Sequence, residues 1–417
     1  MAKQSTTPAA SSAPKYLGPF ITLTFLFCIF GFITALNNAL VPHLKKIFDL
    51  PYGLAMLTTS AFFLAYLIFS MPSSWLIEKI GYKRTIVVSL FVQVVGALLF
   101  IPAANQVSLP LFLTAIFVLA AGVTALQTAA NPYVSILGPE HTAPIRLTLA
   151  QAFNSLGMAA GPAVVGWFIL TDPDKVATKA AIAHTVQAPF IAIAGGLLLL
   201  GLVVMFMHLP AVTRSESFRP TDEGAPTPGR SIWSYRHTVL ATLGIFAYVG
   251  VEVTLAGIAI NYFLAQGIST PKIAGALVSL YWLGSLVGRF LGTWLLTFIP
   301  SEKLLTIFGF LGVTLMLISM FTSGPVAIGT LVFCGFANSI MFPNIFALGI
   351  AGLGPMTSKG SGLIVTACFG GAVIPPIYGA LADKVGIQYA FIVPILCYLY
   401  VAYFGLSGYK PTRSTAE

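Results

Sequence analysis

The chain is 417 residues long, 57% hydrophobic and only 8% charged, with a net charge of +9. So little charge cannot coat a water-soluble domain of this size, and the chain is expected in a bilayer. Its basic excess then reflects membrane topology and contact with anionic lipid, which excludes a nucleic-acid partner.

Residues 1–16, MAKQSTTPAASSAPKY, are rich in Ser, Thr, Pro and Ala and read as a disordered cytoplasmic tail. The apolar run behind them is too long for a signal-peptide core and has no convincing cleavage site. Runs of about 20 apolar residues, the length that carries a helix across hydrocarbon, then recur along the chain. Twelve are predicted, at 17–44, 52–78, 84–104, 109–138, 145–170, 185–208, 238–266, 271–298, 302–322, 325–353, 358–382 and 387–408. A transmembrane β-barrel would instead alternate over segments of about 10 residues. Between the sixth and seventh runs, PAVTRSESFRPTDEGAPTPGRSIWSYR (210–236) is charged, rich in Pro and Gly and without an apolar period, so it reads as a linker.

The expected fold is therefore an all-α membrane protein: an N-terminal six-helix bundle (17–209), a cytoplasmic linker (210–236), a C-terminal six-helix bundle (237–408) and a short tail (409–417). The halves look related. LGPEHTAPIRLTLAQAF from Leu137 and LGPMTSKGSGLIVTACF from Leu353 share their Leu-Gly-Pro start, a Leu and the closing Phe at an offset of 216. NPYVSILG (131–138) also echoes FPNIFALG (342–349). Such duplication builds transporters whose pseudo-symmetric halves rock about a site at the bilayer midplane. With the N-terminus inside, fifteen of the 21 Lys and Arg fall on the cytoplasmic side, which places both termini there.

Inside a span every polar side chain needs a partner or a cavity. Of the acids, Glu252 alone, in YVGVEVTLAGIAINYF, lies well within a span. A central acid costs on the order of 2.5–3.5 kcal/mol, and desolvation favours the neutral carboxyl, which can exchange a proton when its cavity opens to water. The plainer alternative is a carboxyl permanently bonded to a neighbouring helix. Amides surround it: Asn37 and Asn38 in span 1, Gln127 and Asn131 in span 4, Gln151 and Asn154 in span 5, Asn261 in span 7, Asn338 and Asn344 in span 10. Each offers a donor and an acceptor, which suits a hydroxyl-rich neutral ligand such as a sugar; the alternative is interhelical glue. Trp282 can stack on a sugar ring or merely pack.

Arg146 and Arg289, near the inner ends of spans 5 and 8, are expected to snorkel or to cap neighbouring helix ends as a cytoplasmic gate. Gly157, Gly161, Gly370 and Gly371 permit close helix contact, and Pro132, Pro162, Pro343, Pro375 and Pro376 mark kinks. All five histidines fall at span ends or in loops, where an interfacial role is the default. The four cysteines lie inside spans as packing residues, with no disulfide expected. With no phosphate loop, metal-ligand cluster or nucleophile elbow, no enzymatic activity, cofactor or metal is expected.

Two six-span halves, with EKIGYKR (78–84) as a loose Gly/Asp/Arg loop signature, resemble the major facilitator superfamily. A narrower resemblance is carried by LNNALVPHLKKIF, TALQTAANPYVSILGPE, IRLTLAQAFNSLG, YVGVEVTLAGIAINYF, YWLGSLVGRF and NSIMFPNIFALGI. In order and spacing these are similar to the fucose/galactose/glucose:proton symporter family, particularly its glucose/galactose branch, over nearly all of 17–408. The resemblance implies a sugar permease of the bacterial cytoplasmic membrane, with a central monosaccharide site and rocker-switch alternating access. A monomer surrounded by lipid is expected. Gln151 and Asn154 match the family's sugar-contacting amides, and Glu252 matches the branch's span-7 carboxylate.

This chain departs from the family in places. Asn38 stands where the family typically has the Asp that couples sugar binding to the proton. Gln127 replaces a Glu of fucose permeases, as in the glucose/galactose branch, while Ala35 and Phe342 replace fucose-permease Asn and Tyr, which disfavours fucose. Two mechanisms follow: symport with Glu252 as the proton site, or an uncoupled uniporter or exchanger because Asn38 is neutral. A sugar sensor that moves nothing, disfavoured by the absence of an appended signalling domain, and a drug/proton antiporter, disfavoured by so amide-rich a cavity, are the readings of other classes.

Overall fold

The computed structural model describes residues 17–49, 57–168, 184, 186–207, 231–268 and 270–411. Helices make up most of them, and no strand occurs among the described residues. The first half contains α1 (Leu17–Phe48), α2 (Leu57–Leu98), α3 (Phe100–Asn105), α4 (Leu109–Ile136), α5 (Ala143–Phe168) and α6 (Gln187–Phe206). The second contains α7 (Arg236–Ala265), α8 (Pro271–Leu295), α9 (Ser301–Phe321), α10 (Gly324–Asn338), α11 (Met341–Ile350), α12 (Thr357–Thr366), α13 (Gly370–Val385) and α14 (Ile392–Tyr403). Residues 210–230 of the expected linker lie outside the described residues; Ile232–Ser234 form a single 3-10 turn before α7.

Among the described residues, ten stretches are long and apolar enough to cross a membrane. One of them, Thr59–Asn105, has 47 residues, more than twice the length one crossing needs. Its helix is broken at Gly81, whose φ of 81° and ψ of 166° are open to glycine and strained for other residues. Splitting that stretch at Gly81 and adding the 26-residue α5, whose polar side chains lower its hydropathy, would bring the number to the expected twelve. Phe206, Phe298 and Phe321 stand 76%, 70% and 70% exposed, on a surface that lipid tolerates and water does not.

Small residues bring the helices together. A Cβ on Gly157 of α5 would sit 1.8 Å from the Cys28 carbonyl oxygen of α1, and one on Gly370 of α13 would sit 2.1 Å from the Phe246 carbonyl oxygen of α7. The first helix of each half is thus pressed backbone to backbone against the fifth span of that half, as small residues in membrane helices allow. Gly371 instead meets the Phe63 ring of the other half, and the side-chain surroundings of Gly161 lie outside the described residues.

The internal repeat is visible as structure. In one half a 3-10 turn, Glu140–Thr142, leads directly into α5, and in the other Gly354–Met356 leads directly into α12. Helix starts at 143 and 357 differ by 214 residues, two fewer than the Leu-Gly-Pro match suggests, because that tripeptide precedes the turn in one half and overlaps it in the other. Both connections lie at the same end of the bundle, where the Glu140 carboxylate accepts the Gly352 N–H at 2.9 Å.

Candidate functional site

The amides of the first half divide between glue and unmet polarity. Asn154 donates from Nδ2 to the Phe27 carbonyl at 3.1 Å, tying α5 to α1 beside the Gly157 contact. Gln127 of α4 donates from Nε2 to the Tyr66 hydroxyl at 3.1 Å, while its Oε1 is buried without a partner. Beside it Leu26, Phe27, Phe30, Leu126 and Ala130 enclose about 10 Å³, room for about one water and too little for a sugar. Asn131, one turn further on, is fully buried with both amide atoms unpaired, a state a polar ligand or water would relieve. Gln151 is buried too, and its carbonyl is engaged from the other half, as described below. Asn37 and Asn38 sit on the helical backbone of α1, and their side chains lie outside the described residues.

In the second half Glu252 of α7 is half-buried and accepts the Tyr248 hydroxyl at 2.7 Å, a bond between residues i and i+4 of one helix. Asn338, 1% exposed, is held at both ends: its Nδ2 donates to the Tyr281 hydroxyl at 2.7 Å and its Oδ1 accepts from Tyr398 at 2.7 Å. Trp282 is half-buried, and the neighbouring Tyr281 ring meets it edge-on at 5.3 Å. Asn261 is exposed, and Asn344 turns its Nδ2 back to the Ile340 carbonyl at 2.7 Å.

The two arginines do different work. Arg146 gathers the carbonyls of Val134, Ser135 and Pro139 and the Thr142 hydroxyl, capping the orphan carbonyls at the end of α4 within its own half. Arg289, by contrast, joins the halves. Its Nε donates to the Ser339 carbonyl at 3.2 Å, and its Nη1 to the Gln151 carbonyl at 2.9 Å and to the Ser155 hydroxyl.

Proline explains why two of the carbonyls at these joints are free. Pro343 has no N–H for the carbonyl four residues back, Ser339, which Arg289 takes. Pro132 likewise leaves the Thr128 carbonyl open, and it accepts the Ser361 hydroxyl of α12 at 2.8 Å, across the halves. Further out, Glu78 accepts from the Ser358 hydroxyl at 3.2 Å and pairs with Lys359 at 3.7 Å. Together with Glu140 and Gly352, these contacts close one end of the molecule. His237 is buried there rather than interfacial, 3.0 Å from the Ala351 carbonyl, because α7 begins under the connection between α11 and α12.

Residues 23–376 match the profile of the Major Facilitator Superfamily. The chain belongs to the major facilitator superfamily. A glucose/galactose transporter of Brucella abortus is 44% identical over 408 residues, covering 96% of each chain. The L-fucose-proton symporter of Escherichia coli is 34% identical over 415 residues, covering 95% of this chain and 94% of that one. Solved structures of the E. coli fucose:proton symporter, one of them in the outward conformation, align at a TM-score of 0.83 with 32% identity over 94% of this chain and 98% of theirs. Within the superfamily the chain therefore groups with these sugar transporters, as its motifs imply, and it is a membrane protein.

Several residues of the site escape a reading of the sequence alone. Tyr248 was within reach, since it stands four residues before Glu252. Tyr66, Tyr281, Tyr398, Ser155 and Ser361 were not, because a tyrosine or serine in an apolar span carries no sign of which distant residue it meets.

Proposed function

We propose that this protein moves a hexose-type monosaccharide across the bacterial cytoplasmic membrane by alternating access, coupled to a proton through Glu252. It acts as a transporter and not as an enzyme. The observation that carries the reading is its end-to-end likeness to a glucose/galactose transporter at 44% identity. The polar seam supports it: Gln127, Asn131 and Gln151 from one half and Trp282 and Glu252 from the other are the candidate donors, acceptors and ring face for a sugar, while Asn154 and Asn338, engaged to Phe27 and to Tyr281 and Tyr398, brace the helices that carry them. Asn37 and Asn38, on the helical backbone of α1, are proposed as further sugar ligands on their residue type and the family resemblance. The cytoplasmic placement of both termini, read from the basic residues, makes the closed end cytoplasmic, so this conformation faces outward, in keeping with its likeness to an outward-facing relative.

In this reading the sugar enters from outside while Arg289, Ser361 and Glu78 hold the inner end shut, and Glu252 takes its proton from the same side. Rocking of the halves 17–209 and 237–408 then breaks those contacts and exposes both to the cytoplasm. Proteoliposomes given glucose or galactose without a proton gradient should turn the outside alkaline as sugar enters, and Glu252→Gln should abolish that change. Uptake that never moves pH, and persists in Glu252→Gln, would refute coupling through Glu252.

A second reading, an uncoupled uniporter or exchanger, is favoured by one feature, the amide at Asn38. Asn38→Asp separates the two. A gain of proton dependence in that variant, from a wild type that has none, supports the uncoupled carrier.

A further inference from the structure

Tyr248 is 1% exposed, and its single hydroxyl hydrogen goes to Glu252 Oε1 at 2.7 Å. The two residues stand about one turn apart on α7, with Tyr248 nearer the closed end, where that helix begins. Packing holds the phenol in place. Its ring lies 6.4 Å from the Phe342 ring of α11, and a Cβ on Gly250, two residues on, would sit 2.2 Å from the Ile374 side chain of α13. The donor is therefore fixed, whereas the half-buried carboxyl keeps part of its surface accessible.

A carboxyl that takes a proton on its other oxygen, Oε2, keeps Oε1 as a carbonyl and so keeps the Tyr248 bond. That bond is then neutral; with the proton gone it is charge-assisted and roughly twice as strong. Tyr248 thus favours the ionised form, against the desolvation that favours the neutral one. The opposition matters to a carrier, because an acid that never ionises cannot unload its proton. The other titratable and charged groups around Glu252 are Tyr281 and Arg289 of α8 and Cys368 of the turn between α12 and α13, with Tyr398 of α14 beyond Tyr248. Tyr281 and Tyr398 bond Asn338, and Arg289 bonds Ser339, Gln151 and Ser155. Among the described residues, the hydrogen bond to the Glu252 carboxyl comes from Tyr248.

We propose that Tyr248 is the positioning residue that sets how readily Glu252 releases its proton, holding Oε1 in both states so that Oε2 is the oxygen that loads and unloads. The inference rests on the reading of Glu252 as the proton site. In the symport cycle the neutral carboxyl crosses with the sugar as the inner end opens. The Tyr248 bond strengthens as the proton then leaves Oε2 for cytoplasmic water.

The test reads the carboxyl itself. Infrared difference spectra of the full-length protein in lipid bilayers, recorded as pH is raised, titrate the carboxylic C=O band that Glu252→Gln removes. Tyr248→Phe keeps the ring against Phe342 and deletes the donor. Its midpoint should lie about one pH unit higher, an about tenfold gain in proton affinity, as expected when a bond twice as strong in the ionised state is lost. The C=O band should also move to higher frequency, because the carbonyl has lost a donor; a purely structural role for Tyr248 would move neither. In proteoliposomes, net uptake of glucose or galactose, which requires proton release, should fall by more than exchange of labelled sugar across the membrane, which does not. Should Tyr248→Phe fail to fold, a ring-fluorinated tyrosine at position 248, a stronger donor of nearly the same shape, should move the midpoint the opposite way.

An unmoved midpoint in Tyr248→Phe, or in the fluorinated protein where that variant does not fold, overturns the proposal and leaves Glu252 as the proton site. A titration in which Glu252→Gln removes no band, or proton movement that survives Glu252→Gln, overturns the underlying reading and the proposal with it.

Discussion

Asn338 illustrates how little a residue's type fixes its task. As an amide inside a membrane span it is a natural sugar ligand, yet Tyr281 and Tyr398 occupy both ends of it. It cross-links α8, α10 and α14 beside Trp282, whose ring the Tyr281 ring meets edge-on. Asn338→Leu would strand two buried hydroxyls, each costing about 1–3 kcal/mol when unsatisfied. We expect a loss of about 2 kcal/mol or more in stability, read as a lower unfolding midpoint, together with weaker sugar binding. Sugar binding lost at unchanged stability would instead mark Asn338 as a direct sugar contact.

At the scale of helices, proline is the recurring device. Pro132 and Pro343 occupy matching places in the two halves, inside NPYVSILG and FPNIFALG. Each releases the carbonyl four residues earlier for a bond that its own helix cannot make. The prolines were legible in the sequence as kinks, but their use as acceptor-makers was not, since the donors Arg289 and Ser361 come from α8 and α12. Pro343→Ala restores an N–H that can compete for the Ser339 carbonyl. With one hydrogen bond worth about 0.5–1.5 kcal/mol, the open fraction of the gate should rise about two- to tenfold. Spin labels at His141→Cys and Thr297→Cys, which line one cleft from opposite halves, measure it in protein whose four native cysteines are serine. An unchanged distribution of distances would show that the Ser339 bond contributes nothing to closure.

For the molecule as a whole, the closed end is a layered seal. The Arg289 bonds and the Ser361 bond to Thr128 are buried, and the Glu78–Lys359 pair is partly exposed. An ion pair that wet contributes about 0–1 kcal/mol, so its loss alone should scarcely alter transport. A covalent bridge at the same place is different, because it forbids the halves to part. Cysteines at Glu78 and Lys359, joined by a short bis-maleimide, should stop uptake into sealed vesicles, while the unlinked double variant continues to transport. Transport that survives complete linkage would exclude opening at this end.

Class, membrane, helices and duplication are legible in the chain alone, because they follow from apolar runs of a length set by the bilayer and from segments repeated along the chain. The sequence also singled out Glu252 as the acid that hydrocarbon would not tolerate idly, and Arg146 and Arg289 as basic residues near the inner ends of their spans. Tertiary structure decided what these residues meet. It assigned Arg146 to a helix end within one half and Arg289 to the seam between halves, although both are arginines near the inner end of a span. The difference is one of partners far apart in the chain: Val134 is 12 residues from Arg146, whereas Gln151 is 138 residues from Arg289. Local pattern can announce that a buried charge needs oxygen, but only the packing of the halves determines whose oxygen it receives.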